Sequence, residues 1–133
     1  MDPSTTSGPM GPVRQFVDAF NLDDVDGMQA ACLDTTSIID DFPPHEWSGP
    51  FATTTWYRAM AGMATDAGMS GWSVTLGEPR HAIVSDGHAY VAVPVDVRWL
   101  EDAKVAERAC VMTMSLREGT DGWRISSLAW AWS

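Results

Sequence analysis

The sequence predicts an α+β domain in which three helices cover one face of a mostly antiparallel sheet. In the first half of the chain, up to Gly68, apolar residues recur mainly with the period of a helix. After Gly71 they alternate with polar residues, as in strands that bury one face. Turn sequences separate the alternating stretches, which favours strands joined by hairpins. The length of 133 residues suits one domain with its own core.

The N-terminal stretch MDPSTTSGPMG contains few apolar side chains and several Pro, Gly, Ser and Thr residues. Such a segment buries too little apolar surface to fold, so we expect residues 1–11 to be disordered and the domain to span 12–133. Pro12 suits the first turn of a helix, because its missing N–H would be unpaired there anyway. The apolar stripe of this first helix consists of Val13, Phe16, Val17 and Phe20.

Two short elements are predicted after the first helix. Asp23 or Asp24 can cap the first turn of a second helix. The apolar positions of that helix are Val25, Met28, Ala31 and Cys32. Ser37–Asp41 predicts a brief strand, which the prolines at 43–44 end. We therefore expect residues 45–47 to lie on a loop.

A third helix is predicted between Ser48 and Gly68. Ser48 can cap this helix, and Pro50 suits its first turn. Apolar and small residues keep the helical period throughout, at Phe51, Ala52, Thr55, Trp56, Ala59, Met60, Met63, Ala64 and Ala67. This amphipathic pattern indicates a helix that packs one side against the sheet.

Four strands are predicted after the third helix, around 72–76, 90–99, 105–116 and 123–132. A strong hairpin turn, Ser85-Asp86-Gly87, precedes the clearest of them. One face of that strand carries Val91, Val93, Val95, Val97 and Trp99. Asp96 and Arg98 lie on the opposite face, so the alternation places them away from the helices.

The predicted sheet has an uncovered face. Three short helices can cover only one face of a long sheet, yet several strands carry apolar or small residues on both faces. We therefore expect the second face to meet another copy of the chain in a two-fold homodimer.

Charge and composition exclude several classes of partner. Eighteen acidic residues against eight Lys and Arg give a formal net charge of −10, which repels phosphate backbones and anionic lipids. The sequence lacks an apolar run of the roughly 18–20 residues that span a bilayer, and its N-terminus lacks the pattern of a signal peptide. We therefore expect no nucleic-acid or membrane partner and a cytoplasmic location.

The sequence motifs also argue against bound metals and cofactors. Cys32 and Cys110 are too few for a disulfide framework or a zinc site on their own. His, Cys, Asp and Glu do not cluster with metal-ligand spacing, and Gly-rich phosphate-binding loops and nucleophile-elbow motifs are absent. We expect no metal and no cofactor.

Tryptophan and methionine are unusually abundant, with seven and eight residues. Tryptophan is a large side chain that proteins bury in cores, pockets or interfaces. Methionine fills irregular gaps and suits adaptable apolar cavities. The two residue types indicate either ordinary core packing or an apolar cavity for a small organic ligand.

Four motifs resemble those of the nuclear transport factor 2-like superfamily: VRQFVDAFNLDDVDG at 13–27, TTSIIDD, SGPFATTTWYRAM, and DGWRI near the C-terminus. This superfamily includes ketosteroid isomerases, scytalone dehydratase, limonene epoxide hydrolase and SnoaL-type polyketide cyclases. The resemblance covers residues 12–132. It implies a cone-shaped α+β fold in which a curved, mixed sheet and the helices enclose one deep apolar pocket, commonly in dimers.

The first half of the chain most resembles the ketosteroid isomerases. Their motif of an aromatic residue, V-x-x, a hydrophobic residue and Asn matches residues 16–21, and their D-x-D-G motif matches 24–27. The resemblance then makes Asp40 the counterpart of their general base. Trp56 and Tyr57 correspond to their pocket aromatic residue and the tyrosine beside it.

Two positions depart from the isomerase pattern. The tyrosine of their oxyanion hole is replaced by Phe16, which has no O–H to donate. Their oxyanion-hole aspartate falls near 112–114, where Thr113 is the nearest polar match. This sequence therefore lacks the hydrogen-bond pair used for steroid isomerisation. The residues expected to bind ligand are Phe16, Phe20, His45, Trp56, Met112 and Thr113.

Asp40 is the predicted catalytic base. Apolar neighbours would disfavour the charged carboxylate and raise its pKa, which suits proton abstraction beside a carbonyl or hydroxyl group. Asp41 should point the opposite way, because neighbours on a strand alternate in direction. The alternative interpretation is that both carboxylates form a solvated strand end.

Two further residues have a catalytic and a structural interpretation. Tyr57 is either the donor to a developing oxyanion, and thus the second predicted catalytic residue, or a core tyrosine bonded to a backbone carbonyl. His45 belongs either to a lid or proton shuttle, or to a solvent-exposed loop.

Three functions remain open from the sequence. The first is a cofactor-independent enzyme that isomerises, cyclises or dehydrates an apolar carbonyl or polycyclic compound. The second is a non-catalytic protein that binds a hydrophobic ligand or serves as a dimeric scaffold. The third is epoxide hydrolysis by Asp40, Arg98 and Asp96, which requires Asp96 to face inward. A loose alignment with the isomerases would place Asp96 inward, whereas the alternation of side chains along the strand places it outward.

Overall fold

A computed structural model describes residues 8–133 of the chain. Its helices are α1 (Met10–Asn21), α2 (Val25–Ala30) and α3 (Ala52–Asp66). Its strands are β1 (Cys32–Ile39), β2 (Glu46–Ser48), β3 (Met69–Leu76), β4 (His81–Ser85), β5 (His88–Glu101), β6 (Lys104–Gly119) and β7 (Gly122–Trp132). Most of the segment expected to be disordered, residues 1–7, lies outside the described residues. Helix α1 begins at Met10, two residues before the expected boundary at Pro12.

The strands form one seven-stranded sheet in the order β2-β1-β7-β6-β5-β3, and β4 also pairs with β5. Strand β1 runs parallel to β7, and the other pairs are antiparallel. The prediction of an α+β fold with a mixed, mostly antiparallel sheet is confirmed. The core lies between this sheet and the helices, where side chains of all three helices are buried.

Helix α1 shows how the apolar stripe forms the core. Val13, Phe16, Val17 and Phe20 are at most 5 % exposed, while Arg14, Gln15 and Asp18 on the other side face solvent. Asn21 ends the helix, and its side-chain amide bonds to both backbone groups of Val74, at 2.7 Å to the N–H and 2.9 Å to the carbonyl oxygen. These two bonds fix the end of α1 against β3.

Helix α2 is capped as the sequence predicts, by Asp24. The Asp24 carboxylate accepts a hydrogen bond of 3.0 Å from the backbone N–H of Gly27. A Cβ atom at Gly27 would lie 2.5 Å from an Asp24 carboxylate oxygen and 3.0 Å from the Ala19 side chain, so a larger residue would require the capping carboxylate to move. Cys32 lies beyond α2, at the start of β1.

The structure corrects several predicted boundaries between Cys32 and Ala52. Strand β1 is longer than the predicted 37–41 and ends before Asp40. The expected loop at 45–47 instead leads into β2, in which Trp47 pairs with Ile38 of β1. Ser48 therefore belongs to a strand and does not cap α3, whose N-cap residue is Phe51.

Five strands follow α3, where four were predicted. The chain between β3 and β4 leaves the ladder, and the Gly77 N–H and the Arg80 N–H bond to carbonyls of β5. The hairpin turn at Asp86-Gly87 is confirmed, with positive φ angles of 47° and 76° that match the twist of paired strands.

Strand β5 presents its valine face to the helices, as the alternation predicts. Val91, Val93, Val95 and Val97 are at most 4 % exposed. Asp96 and Arg98 lie on the opposite, exposed face, where Arg98 forms a surface ion pair of 3.3 Å with Glu107. The alignment that would turn Asp96 inward is therefore wrong.

Among residues 8–133, none of the helices is both long enough and apolar enough to span a membrane.

Candidate functional site

An apolar cavity of about 60 Å³ lies between the sheet and helices α1 and α3. Its wall is formed by Phe20, Asp40, Asp41, Phe42, Trp56, Met60, Met63, Trp72, Val74, Val97, Cys110, Trp130 and Trp132. This volume is smaller than the cavity of about 150 Å³ that accommodates benzene in a protein core. The cavity is therefore large enough only for a small chemical group or for one part of a larger molecule.

Asp40 brings a carboxylate to this apolar wall. It directly follows β1, whose last residue, Ile39, pairs with Ala129 of β7. The indole N–H of Trp56 donates a hydrogen bond of 2.8 Å to Asp40 Oδ2, and the backbone N–H of Asp41 donates one of 2.7 Å to Oδ1. Both oxygens are thereby oriented by donors on neighbouring residues.

The pKa of Asp40 is raised above its ordinary value, mainly because burial disfavours the charged carboxylate. The hydrogen bonds from Trp56 and from the Asp41 backbone lower this pKa, while the negative charge of Asp41 raises it further. Burial outweighs the two hydrogen bonds. Asp40 therefore has a higher proton affinity than a surface aspartate, as the sequence predicts.

The prediction that Asp41 points away from Asp40 is wrong, because both residues line the cavity. Strand β1 ends at Ile39, so the alternation of side chains no longer applies at 40 and 41. Asp41 is exposed, which lets water solvate its charge while the charge still acts on Asp40.

Tyr57 does not lie beside Asp40. Its hydroxyl donates a hydrogen bond to the carboxylate of Asp23, just after α1, and its ring packs edge-on against Phe20 at 5.9 Å. Burial, the hydrogen bond to Asp23 and the charge of Asp23 together raise the pKa of Tyr57 to about 12, and burial contributes most. The geometry does not support Tyr57 as an oxyanion donor to the Asp40 cavity, and its partner is a carboxylate instead of a backbone carbonyl.

The expected ligand-binding residues divide between the cavity and the rest of the core. Phe20 and Trp56 line the cavity. Phe16 and Met112 are fully buried in the core and do not line it; the Phe16 ring lies 6.1 Å from that of Trp56. Phe16 thus packs against a wall residue from the core side, and Met112 pairs with the wall residue Trp130 across β6 and β7.

Thr113 and His45 lie elsewhere. Thr113 faces the other side of the sheet and lines an outer groove with Tyr90, because its neighbour Met112 occupies the inward position on β6. His45 is exposed, and its Nδ1 lies 3.1 Å from the carbonyl oxygen of Asp40. Thr113 is thus excluded from the cavity. Of the two alternatives for His45, the structure agrees with an exposed loop residue.

Several wall residues were not identified from the sequence. Trp130 stacks on Trp56, with ring centroids 5.9 Å apart and planes at 15°. Trp72 lines the cavity and stacks on Trp99 at 4.8 Å. Trp132 also lines the cavity, and the guanidinium of Arg108 lies 4.7 Å from its ring centroid. The abundance of tryptophan was the sequence signal for this aromatic wall, but it did not show which rings would meet.

Cys110 also lines the cavity, on the inward face of β6. Burial raises the pKa of its thiol, and the charges of Asp40 and Asp41 contribute in the same direction. The thiol is therefore protonated at neutral pH and contributes a polarisable, weakly polar surface.

The aspartate–arginine–aspartate set proposed for epoxide hydrolysis is not assembled. Asp40 lines the inner cavity, whereas Asp96 and Arg98 line a groove on the outer face together with Glu107. In the part of the chain that the structure describes, no three His, Cys, Asp or Glu residues are grouped so that they could hold a metal ion.

Comparisons with known proteins identify the family. The SnoaL-like domain matches residues 12–129. A comparison with curated proteins finds no match.

Solved structures share the whole fold. A ketosteroid isomerase-like protein from Erwinia carotovora atroseptica matches with a TM-score of 0.75 and 15 % identity, over 99 % of this chain and 98 % of that one. A proposed dehydratase of the nuclear transport factor 2-like family from Streptomyces avermitilis matches with a TM-score of 0.76 and 17 % identity, over 99 % of each chain. At these identities the likeness establishes the nuclear transport factor 2-like fold, and activity has to be argued from the site.

Proposed function

The chain belongs to the SnoaL-like domain family, and from this premise we propose that it is an enzyme performing cofactor-independent acid/base chemistry on a small apolar carbonyl compound. The observation that carries this proposal is the carboxylate of Asp40 in an apolar cavity, held by Trp56 and raised in pKa by burial. Perturbed carboxylates in clefts are candidates for proton transfer, because catalysis is most efficient when the pKa of the base approaches the working pH.

The reaction follows from the position of one buried base in a mostly apolar cavity wall. Asp40 takes a proton from the carbon next to the carbonyl group, and the electron pair of the broken C–H bond moves toward the carbonyl oxygen to give an enolate. If a carbon–carbon double bond is conjugated with the enolate, return of the proton from Asp40 to the far carbon of that double bond isomerises the compound. The enolate instead starts a cyclisation if it attacks a second carbonyl, whose oxygen then takes the proton from Asp40. It starts a dehydration if it expels a neighbouring hydroxyl, which leaves as water with that proton.

The size of the cavity limits the bound part of the substrate. A volume of about 60 Å³ accommodates the reacting group only, so the remainder of the molecule would displace wall side chains or extend outward. Met60 and Met63 of α3 belong to this wall. Methionine side chains are flexible and repack readily, which suits a cavity that enlarges on binding.

Proton exchange tests the proposal without knowledge of the natural substrate. Cyclohexanone in deuterated buffer should lose its α-proton NMR signals faster with the protein present, and Asp40→Asn should abolish the increase. Asp34→Asn, which removes an exposed carboxylate of β1, is the matched control and should exchange like the wild type. Exchange at wild-type rate in Asp40→Asn would refute the assignment of the base.

A non-catalytic ligand-binding protein is the second candidate function. It is favoured by Phe16, where the isomerase pattern has a hydroxyl donor, and by Tyr57, which does not line the cavity and whose hydroxyl is bound to Asp23. Saturable binding of cyclohexanone by wild type and Asp40→Asn alike, without exchange in either, is the result expected of such a protein.

We also propose that the outer face of the sheet pairs with a second copy of the chain. Ile39 and Tyr90 line a groove there while being 48 % and 45 % exposed, which is typical of an apolar surface covered in an assembly. Sedimentation equilibrium at micromolar concentration should give a dimer for the wild type and a monomer for Tyr90→Lys. Leu22→Lys changes an exposed apolar residue at the C-terminal cap of α1, outside this groove, and should remain dimeric. A monomeric wild type would refute the proposal.

A further inference from the structure

Arg108 places a positive charge at the rim of the cavity. It lies on β6 two residues before Cys110, so its side chain is on the same inner face as that wall residue. On the neighbouring strand it pairs with Val97, which also lines the cavity. Its guanidinium carbon lies 4.7 Å from the ring centroid of Trp132, a third wall residue. Because Arg108 is exposed, it lies where the wall meets solvent.

This guanidinium has no acidic partner within the part of the chain that the structure describes. Among residues 8–133 the one ion pair joins Arg98 to Glu107, on the outer face of the sheet. The contact with the Trp132 ring restrains the side chain and leaves its N–H donors available for a further partner. The wall itself contains no Lys or Arg, so Arg108 supplies a charge that the wall lacks.

The strand register separates Arg108 from the base. Asp40 directly follows β1 and lies level with Trp130 in the parallel ladder. Trp130 pairs with Met112 of β6, which is four residues from Arg108. That stretch of β6 is about 13 Å long, and two strand spacings add about 10 Å across the sheet. The two charged groups are therefore on the order of 10 Å apart once both side chains extend toward each other. A ligand that contacts both must span this separation.

We propose that Arg108 binds the carboxylate of a keto acid whose carbonyl group occupies the cavity beside Asp40. This inference rests on the proposed function and narrows its substrate class to carbonyl compounds that carry an acid group. The cavity of about 60 Å³ accommodates the reacting group only, so the remainder of such a molecule extends along the inner face to the rim. Arginine binds a carboxylate through two parallel N–H bonds, which orient the molecule as well as hold it.

The negative charges of Asp40 and Asp41 make the length of the keto acid decisive. Both carboxylates line the cavity and repel an anion. A carboxylate that contacts Arg108 lies closer to the guanidinium than to either aspartate, and the interaction between charges weakens with distance. A keto acid too short to reach the rim would meet the repulsion without the attraction.

A keto acid of suitable length tests the contact with Arg108. The probe is 8-oxononanoate, in which six methylene groups join a methyl ketone to a carboxylate, and its methyl ester is the neutral comparison. Calorimetric titration should show that the wild type binds the acid about five-fold or more tightly than the ester, as expected for one ion pair at a surface. Arg108→Gln should abolish this preference, because it removes the charge and keeps a polar side chain.

Two controls match this experiment. Arg117→Gln removes an exposed positive charge from the same strand outside the cavity wall, and should keep the preference of the wild type for the acid. Levulinate, in which two methylene groups separate the ketone from the carboxylate, is too short to reach Arg108 from the cavity. Its affinity should be the same for wild type and Arg108→Gln.

Four outcomes would overturn the inference. They are failure of 8-oxononanoate to bind, equal affinity of the wild type for acid and ester, a preference for the acid that persists in Arg108→Gln, and its loss in Arg117→Gln. The α-proton exchange assay separates this inference from the proposed function. Exchange that requires Asp40 but proceeds equally with acid and ester would refute the role of Arg108 alone. A preference for the acid that requires Arg108, without exchange in the wild type, would refute the enzyme alone.

Discussion

Two aspartates in this protein each accept a hydrogen bond from an aromatic side chain of α3, and their surroundings differ. Asp40 accepts from the Trp56 indole at the wall of an apolar cavity, where burial raises its pKa. Asp23 accepts from the Tyr57 hydroxyl on the exposed side of the same helix. The adjacent positions 56 and 57 thus point to opposite environments. A donor–carboxylate pair becomes a candidate base only where desolvation accompanies the hydrogen bond.

The largest expected difference between the two pairs concerns proton exchange. Asp40→Asn should lower the protein-dependent α-proton exchange of cyclohexanone by about 10² or more, as is typical for loss of a general base. Asp23→Asn should leave the exchange rate within about two-fold of the wild type, because Asp23 does not line the cavity. Similar losses in both variants, measured by NMR in deuterated buffer, would contradict the distinction between the two aspartates.

The next effect concerns the indole that holds Asp40. Trp56→Phe removes a hydrogen bond that favours the charged carboxylate, so the pKa of Asp40 should rise further. The acid limb of the exchange rate against pH should then move to higher pH, while folding is weakened by about 1–3 kcal/mol. The readouts are the pH–rate profile and urea unfolding, with Trp123→Phe as control. If Trp56→Phe lowers the free energy of unfolding but leaves the pH–rate profile unchanged, Trp56 contributes to packing and does not act on the pKa of Asp40.

A smaller effect is expected on the pH dependence of stability. The pKa of Asp40 is higher in the folded than in the unfolded chain, so the folded state holds this proton more tightly. The resulting stabilisation is complete below the unfolded pKa of about 3.9 and is lost as pH rises through the folded pKa. Asp40→Asn should therefore melt at a higher temperature than the wild type at pH 7, with little difference at pH 3. Equal melting temperatures at both pH values would contradict the raised pKa.

The smallest effect belongs to the exposed pair. Tyr57→Phe removes the hydrogen bond to Asp23, which water can replace, so the free energy of unfolding should fall by less than about 1 kcal/mol. The rate of α-proton exchange in cyclohexanone should be unchanged. Urea unfolding and the exchange assay measure the two quantities. Loss of α-proton exchange in Tyr57→Phe would show that the hydroxyl takes part in the reaction and would contradict its assignment to the exposed pair.

The sequence predicted those features that depend on short-range periodicity. The stripe of Val13, Phe16, Val17 and Phe20 and the valine face of β5 follow from the helical and strand periods, because each period fixes which side chains share a face. The outward position of Asp96 and Arg98 follows from the same rule. The resemblance through short motifs added the superfamily fold and singled out Asp40.

Tertiary structure alone decided the composition of the site. Asp41 joins Asp40 at the cavity because β1 ends at Ile39, two residues before the predicted end, and a strand end is set by pairing with distant residues. Trp130 meets Trp56 and Trp72 meets Trp99 through contacts between elements far apart in sequence. Tyr57 turns to Asp23 because the end of α1 lies beside it. Local patterns assign a side chain to a face, whereas the neighbours it meets there depend on how the whole chain packs.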